Sequence, residues 1–313
     1  MSKLIPRTEI YDLYWYFAHE RNEIFYRKMN GDPQPWTEDP ILQEYKFTNT
    51  YRVNDRVSQF LLSNVIYNGN KYSPEDTIFR IVLFKLFNKE STWIELEKKF
   101  GSITLENYDV NAYADLLDKV QEVEPIFSSA YMLRPIHGKA ESKHKNYLAY
   151  FEKIFKKQHL AEKILKCRNM REAFDILNKM NYFGNFLAYQ YATDINYSEV
   201  VDWQETDFTI PGGGALRGIG KVFSDLNGMN PDAAIWHMFE HQEEEFAKRG
   251  YEFRKLGGKR CMQPIDCQNV FCEVDKYCRV AHPELKTGNV KIKAKYSTPK
   301  PKIDYMYPPK WNL

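Results

Sequence analysis

No stretch of this chain stays apolar for the length of a membrane span, which excludes a helical transmembrane protein. No signal-peptide layout opens it, because acidic and polar residues interrupt "MSKLIPRTEIYDLYWYF". Cysteine is scarce and odd in number, five in 313 residues. That argues against a disulfide framework and makes a reducing cytoplasm the expected location. Segments of alternating polarity are few, so strands are expected to contribute little. There is no internal repeat and no evident linker. A phosphate-binding P-loop is also missing. That pattern needs Gly, four residues, Gly-Lys and then Ser or Thr. In "TDFTIPGGGALRGIGKVF" Ala215 stands at the first position and Val222 follows Lys221. The glycines miss the dinucleotide-binding spacing as well. A nucleotide triphosphate site is not expected there.

What is present is helical periodicity and many aromatic rings. Aromatics make up 15% of the chain, enough for a thick helical core or for a site that stacks on flat rings. "EIYDLYWYFAHERNEIFYRKM" sets Ile10, Leu13, Tyr14 and Phe17 on one face. "TNTYRVNDRVSQFLLSNVIYN" follows a Pro-rich loop, with Val53, Val57, Phe60, Leu61 and Val65 as its apolar stripe. Ser73, Pro74 and two acids mark the start of another helix. Further helices are predicted over 91–100, 111–122, 143–157, 160–166, 170–180, 185–195 and 215–226, then from Asn230 to Gly250 and over "IDCQNVFCEVDKYCRVAH". The expectation is all-α: one helical domain over 1–285 and a basic, Pro-rich tail over 286–313.

The candidate chemistry gathers in four places. Residues 177–197, "LNKMNYFGNFLAYQYATDINY", read as a helix–hairpin–helix, whose turn at Gly184 and Asn185 can offer backbone N–H groups to a DNA phosphate. Tyr182 stands where the usual first glycine would be, and an ordinary packing hairpin is the other reading. Downstream, Asp202 and Asp207 lie 14 and 19 residues past Ala188. Asp207 abuts the glycine loop, whose amides could keep it ionised as a base or as a stabiliser of positive charge. Capping a turn is the alternative role. Arg52, Arg56, Gln59 and Ser63 recur on one helical face, with Asp55 beside them. Forked donors of this kind suit phosphates and base edges, or simply a solvated stripe. Finally, Gln268, Cys272, Asp275, Lys276 and Arg279, with Glu273 and Tyr277 adjacent, look like a half-buried polar cluster in which pKa values shift.

Two other patterns are weaker. Cys261, Cys267, Cys272 and Cys278 have gaps of five, four and five residues, which do not fit an iron–sulfur cluster, so buried thiols and no cofactor are expected. His237 and His241 are four apart on a helix but lack a third ligand, so no metal is expected. Net charge is only +2, yet Lys286 to Lys302 holds six lysines and no acid. That run is either a solvated face or a surface for phosphates.

Several long, ordered stretches carry a family resemblance: "WTEDPILQEYKFTNTYRVNDRVSQFLLSNVIY", "TIFRIVLFKLFNK", "FGNFLAYQYATDINYS", "DFTIPGGGALRGIGKVF" and "QPIDCQNVFCEVDKYCRVAHPE". Over about residues 8 to 283 the chain resembles the helical domain named after the 5-hydroxymethyl-deoxyuridine DNA kinases of phages. More distantly it is similar to the alpha-glutamyl/putrescinyl-thymine pyrophosphorylases, amino-acid:DNA transferases. The resemblance implies a helix–hairpin–helix DNA-glycosylase-like fold and a place in thymine hypermodification, in a bacterial cytosol or a phage-infected host cell. In such a pathway a P-loop DNA kinase phosphorylates 5-hydroxymethyl-uracil in double-stranded DNA, and an amine or amino acid then displaces the phosphate. On this reading Asp207, Glu273 and Lys276 are catalytic. Asn49, Arg52, Arg56, Gln59, Gln268 and Tyr277 bind substrate, and Tyr51 or Tyr182 stacks on the flipped base. Gly184, Asn185, Gly213, Gly214, Arg217, Lys221, Lys291, Lys293 and Lys295 hold DNA. A glycosylase cutting the glycosidic bond of a modified base, or a reader without turnover, are the alternatives.

Overall fold

The structure, a computed structural model, describes residues 4–129, 133, 136, 142–285, 292, 295 and 303–313. Strand β1 (Ile5–Pro6) leads into α1 (Thr8–Asn30) and α2 (Pro40–Glu44). There follow α3 (Arg56–Phe60), α4 (Pro74–Phe87), α5 (Glu90–Phe100), α6 (Val110–Val123), α7 (Lys143–Glu152), α8 (Leu160–Leu165), α9 (Met170–Asn178) and α10 (Asn185–Ile195). Then α11 (Gly213–Val222) runs into β2 (Phe223–Asp225), before α12 (Asp232–Lys248) and α13 (Pro264–Ala281). The fold is all-α: among the described residues the only sheet is the antiparallel pair β1–β2.

These elements form two compact units where the sequence suggested one helical body and a separate tail. The first holds Met1–Asp55, Phe208–Tyr305 and Leu313, and the second holds Arg56–Asp207 and Met306–Asn312. No composition change marks the boundaries, because Asp55 directly precedes α3 and Asp207 directly precedes the glycine loop. Tyr305 sets its ring edge-on against Phe25 in the first unit, and Trp311 does the same against Tyr197 in the second.

In the first unit α13 is the hub, packing against α1, α2, α11, α12 and the turn at Arg52–Asn54. Its start is well specified. Pro264 takes the first position, and a capping box joins Gln263 and Asp266. The closest partner is α11. A Cβ on Gly214 would sit 2.3 Å from the Cys272 sulfur, and one on Gly218 would sit 2.0 Å from the Phe271 carbonyl oxygen. These two glycines, four apart, let the helix backbones touch. Packing thus explains part of the glycine loop that the sequence reading assigned to DNA. The end of α11 is held by the Arg7 guanidinium, which donates to the carbonyls of Gly220 and Phe223 at 2.8 and 2.7 Å.

In the second unit α4 is buried on nearly all sides, from Thr77 to Phe87. Ser73 caps it by accepting from the Asp76 amide, and Asn88 ends it in the left-handed conformation. Two charges enter this core with partners. Arg80 is fully buried and donates to the carbonyls of Val65 and Ile103 and to Glu97. Lys85 lies 3.1 Å from the Asp194 carboxylate. The expected hairpin is present as α9 and α10, which pack together across a turn that ends at Gly184.

One predicted helix is broken. The stretch 48–67 is a 3-10 turn at Arg52–Asn54, extended backbone at Asp55, α3, and a π-helical segment Leu61–Ile66. Side-chain carboxylates take up the amides of Asn49 and Arg52, so these residues do not join a helix. Arg52 therefore does not share a helical face with Arg56 and Gln59.

The glycine contact makes a paired prediction. Gly218→Ala should lower the unfolding free energy by about 3 kcal/mol, since overpacking at a rigid backbone cannot relax. Gly220→Ala, with nothing within 4 Å of its Cβ, should raise it by about 1 kcal/mol through helix propensity. Urea midpoints of the two variants at constant m-value check both.

Candidate active site

In the first unit, the segment Thr48–Asp55 is fastened to α13 through its own backbone amides. The Thr48 amide donates to Glu273 Oε2 at 3.2 Å, and the Arg52 amide donates to Asp266 Oδ1 at 2.8 Å. The Asn49 amide donates to Asp55 Oδ1 at 2.8 Å, closing the segment on itself. The other oxygen of Asp266 accepts from the Gln263 amide in the capping box, so one carboxylate serves both chains. Glu273 is buried, and its second oxygen holds the Lys276 ammonium at 2.5 Å.

Asp55 sits in the middle of these charges. Burial raises its carboxyl to about 6, and the nearby Glu273 carboxylate adds to the rise. The Asn49 amide and the guanidinium groups of Arg21 and Arg52 pull the other way. Burial also works against the charge on Lys276, but Glu273, Cys272 and Asp55 together hold its pKa above the usual lysine range. The arrangement offers a carboxyl that changes protonation near neutrality beside fixed cations, which can move a proton and hold an anion.

The opposite side of α13 is organised around Asp275, which is fully buried. Arg217 Nε and Lys221 Nζ lie 3.1 Å from its oxygens, and Arg279 Nη2 lies 2.6 Å away. Burial disfavours this charge, but Arg279 and Lys221 outweigh it and keep the pKa below the usual carboxylate range. Two expected DNA contacts are changed by this. Lys221 is buried with its ammonium on Asp275, and Arg217 is only partly exposed and shares the same carboxylate. Gly214 is taken up by its contact with Cys272, while Gly213 remains exposed. Gln268 is buried and its Oε1 accepts from the Gly212 amide at 3.3 Å, so it braces the loop.

Other expected site residues have structural partners. The Tyr277 hydroxyl donates to Asp39 at 2.6 Å, and Asp39 caps α2. Tyr51 and Tyr182 are buried and present no ring face for stacking; their hydroxyls bond the Arg260 carbonyl and the Tyr191 hydroxyl. The Asn49 side chain donates to the Asn54 carbonyl at 2.7 Å. In the second unit, Arg56 lies 3.3 Å from Glu90. The Gln59 amide clamps the backbone of Met306, donating at 3.1 Å and accepting at 2.9 Å. Asp207 is exposed, and its carboxylate accepts from the Met170 amide at 3.4 Å, at the start of α9. It has the position of a helix-terminus partner. Asp202 is exposed 3.7 Å from Lys310.

Gly184 is half-buried and Asn185 exposed at the start of α10. Lys295 is exposed and paired with Glu44 at 2.6 Å, while Lys291 and Lys293 lie outside the described residues. All five cysteines are free thiols, and Cys267, Cys272 and Cys278 share α13. No group of three metal-binding side chains occurs among the described residues. His237 Nε2 and the Tyr11 hydroxyl share a hydrogen bond at 3.0 Å. No described helix is long and apolar enough to cross a membrane.

Of the residues marked from sequence, the structure thus gathers Arg52, Asn49, Glu273 and Lys276. It adds Arg21, Thr48 and Asp55, which were not assigned. A signal for Arg21 exists: it continues the buried face of α1 through Tyr14, Phe17, Ala18 and Arg21, where a charge is out of place.

An all-α protein with a buried, unevenly titrating charge cluster on its central helix is the class these features define. The chain belongs to the family described as 5-hmdU DNA kinase, helical domain, whose model matches residues 8–287. It is 26% identical over 285 residues to a protein named 5-hmdU DNA kinase from Bacillus phage SP10, covering 86% of this chain and 45% of the phage protein. The chain therefore spans less than half the length of that relative. No solved structure matches it.

Two titrations follow from the opposed carboxyls. The Asp55 carboxyl carbon, followed by NMR, should titrate at about 6, and Glu273→Gln should move it down by removing a negative neighbour. Because its folded pKa is raised, Asp55 should cost stability as pH rises from about 4 to about 6. Asp275 behaves oppositely. Its lowered pKa gives stability that is present above about 4 and lost as pH falls below that. The stability gap between wild type and Asp275→Asn should accordingly shrink in acid, measured by urea unfolding across pH.

Proposed function

We propose that this chain modifies a 5-substituted pyrimidine in DNA, replacing a phosphate or pyrophosphate on the 5-methylene of uracil with an amine or amino acid. The 5-methylene projects into the major groove, and flipping the nucleotide out, at a cost of about a few kcal/mol, would bring both faces of the base and the leaving group into one site. In the reaction the amine nitrogen forms a bond to the methylene carbon. The carbon–oxygen bond to the phosphate breaks, and its electron pair leaves with the phosphate. The proton released from the amine goes to a carboxylate.

Asp55 is the residue proposed for that proton, in place of Asp207. The observation that carries this reading is its carboxyl, raised to about 6 beside Glu273, Arg21 and Arg52, in a member of the 5-hmdU DNA kinase helical-domain family. A base with a pKa close to the working pH combines availability with driving force. Lys276 and Glu273 set the field around it, and Arg52 favours the departing anion. Gly184 and Asn185, with the tail lysines, are proposed for the DNA backbone. No Walker pattern occurs in this sequence, so phosphorylation is assigned to a P-loop DNA kinase activity of the same pathway.

The test uses duplex DNA containing 5-hydroxymethyl-, 5-phosphomethyl- or 5-pyrophosphomethyl-uracil, incubated with the chain and an amine. Digestion to nucleosides and mass spectrometry should show the amine adduct, with strands intact after alkali. The rate should rise with pH through about 6, and Asp55→Asn should lower it by about a hundredfold or more. Alkali-labile sites without a new nucleoside would instead mean base excision. Retention of DNA with neither outcome would mean a reader.

A further inference from the structure

Two buried arginines in this chain are treated very differently. Arg80, fully buried, fills its guanidinium with the carbonyls of Val65, Asn64 and Ile103 and the Glu97 carboxylate. Arg21 is 8% exposed, yet among the described residues it makes one long hydrogen bond, from Nη2 to the Phe47 carbonyl at 3.4 Å. Its Nε is buried with no partner. A buried guanidinium with idle donors is expensive, so its position calls for an acceptor.

The next residue along the chain shows the same deficit. Thr48 follows Phe47, and its hydroxyl is also buried without a partner, while its amide is engaged by Glu273. Idle donors thus come from two elements, α1 and the Thr48–Asp55 segment, around one carbonyl. Three cations, Arg21, Arg52 and Lys276, stand here against the carboxylates of Glu273 and Asp266, with Asp55 readily neutralised. Forked N–H groups, a hydroxyl and surplus positive charge are the recognition chemistry of a phosphoryl oxygen.

We propose that Arg21 and the Thr48 hydroxyl bind a phosphate or pyrophosphate group beside Asp55, the group that leaves in the reaction proposed above, on which this assignment rests. A dianion there would also disfavour ionisation of Asp55, making it a stronger base while the leaving group is in place.

The experiment uses the full chain and inorganic pyrophosphate, without DNA. Calorimetric titration should show binding that weakens about tenfold or more in Arg21→Gln and is partly restored in Arg21→Lys. Thr48→Val should weaken it several-fold, and Arg168→Gln, on an exposed side chain, should leave it unchanged. Saturating pyrophosphate should move the Asp55 titration above about 6, a shift that a purely structural arginine would not produce. If Arg21→Gln fails to fold, Thr48→Val and the Asp55 shift in wild type still decide. No binding by wild type, or equal binding by Arg21→Gln and Thr48→Val, overturns the anion site. Pyrophosphate bound through Arg21 while modified DNA stays unchanged supports the site and removes the transfer reading alone.

Discussion

The first unit depends on carboxylates that accept backbone amides from a segment whose regular structure is a single 3-10 turn. Glu273 takes Thr48, Asp55 takes Asn49, and Asp266 takes Arg52. Buried amides need partners, and ionised acceptors make the stronger bonds. Asp266 does this while also capping α13, so the entry of the hub helix and the path of the segment are set by one side chain. Without these acceptors the amides would turn to helical carbonyls, and residues 48–66 would follow their apolar periodicity into a single helix. Arg52 would then face away from Glu273, and the charge cluster would not assemble.

Asp275 on this helix and Asp55 on the segment beside it have opposite outcomes. Asp275 is denied water entirely, but three cations converge on it. Asp55 keeps partial access to solvent and is nevertheless pushed upward, since burial and Glu273 outweigh its guanidinium neighbours. Burial alone therefore does not rank these acids; the partner count does. The contrast separates a group held in one protonation state from one whose carboxyl is raised toward neutrality.

Much of the helical content was legible in the sequence, because periodicity and caps agree. Ser73, Pro74 and Asn88 bracket α4, and Pro264 opens α13. The polar density of "CEVDKYC" suggested one half-buried cluster, whereas Glu273 and Asp275 are buried among different partners on different sides of α13. What was not legible is which polar residues meet. Gln59 suits a base edge as well as it suits the Met306 backbone, and only the returning chain decides between them. Glycines at 214 and 218 look like a loop because the partner that forbids their Cβ atoms lies over fifty residues away. Asp207 has the spacing of a catalytic acid but the surroundings of a helix-terminus acceptor at Met170. Arg21 went unassigned because aromatic neighbours in α1 masked the charges, Arg21 and Glu23, that this helix buries.

Because α13 carries distinct polar partners on different sides, its rotation about its own axis is coded by charge. Glu273 and Asp275 lie about 200° apart around the helix, so a half turn would present Asp275 to the Thr48 amide and Glu273 to Arg217. Each would then lose a partner matched in length and reach. Buried ion pairs add little to stability on balance, yet mispairing them is severely penalised. The helix thus has a single admissible angular setting, and the glycine contact with α11 fixes its position along the axis as well.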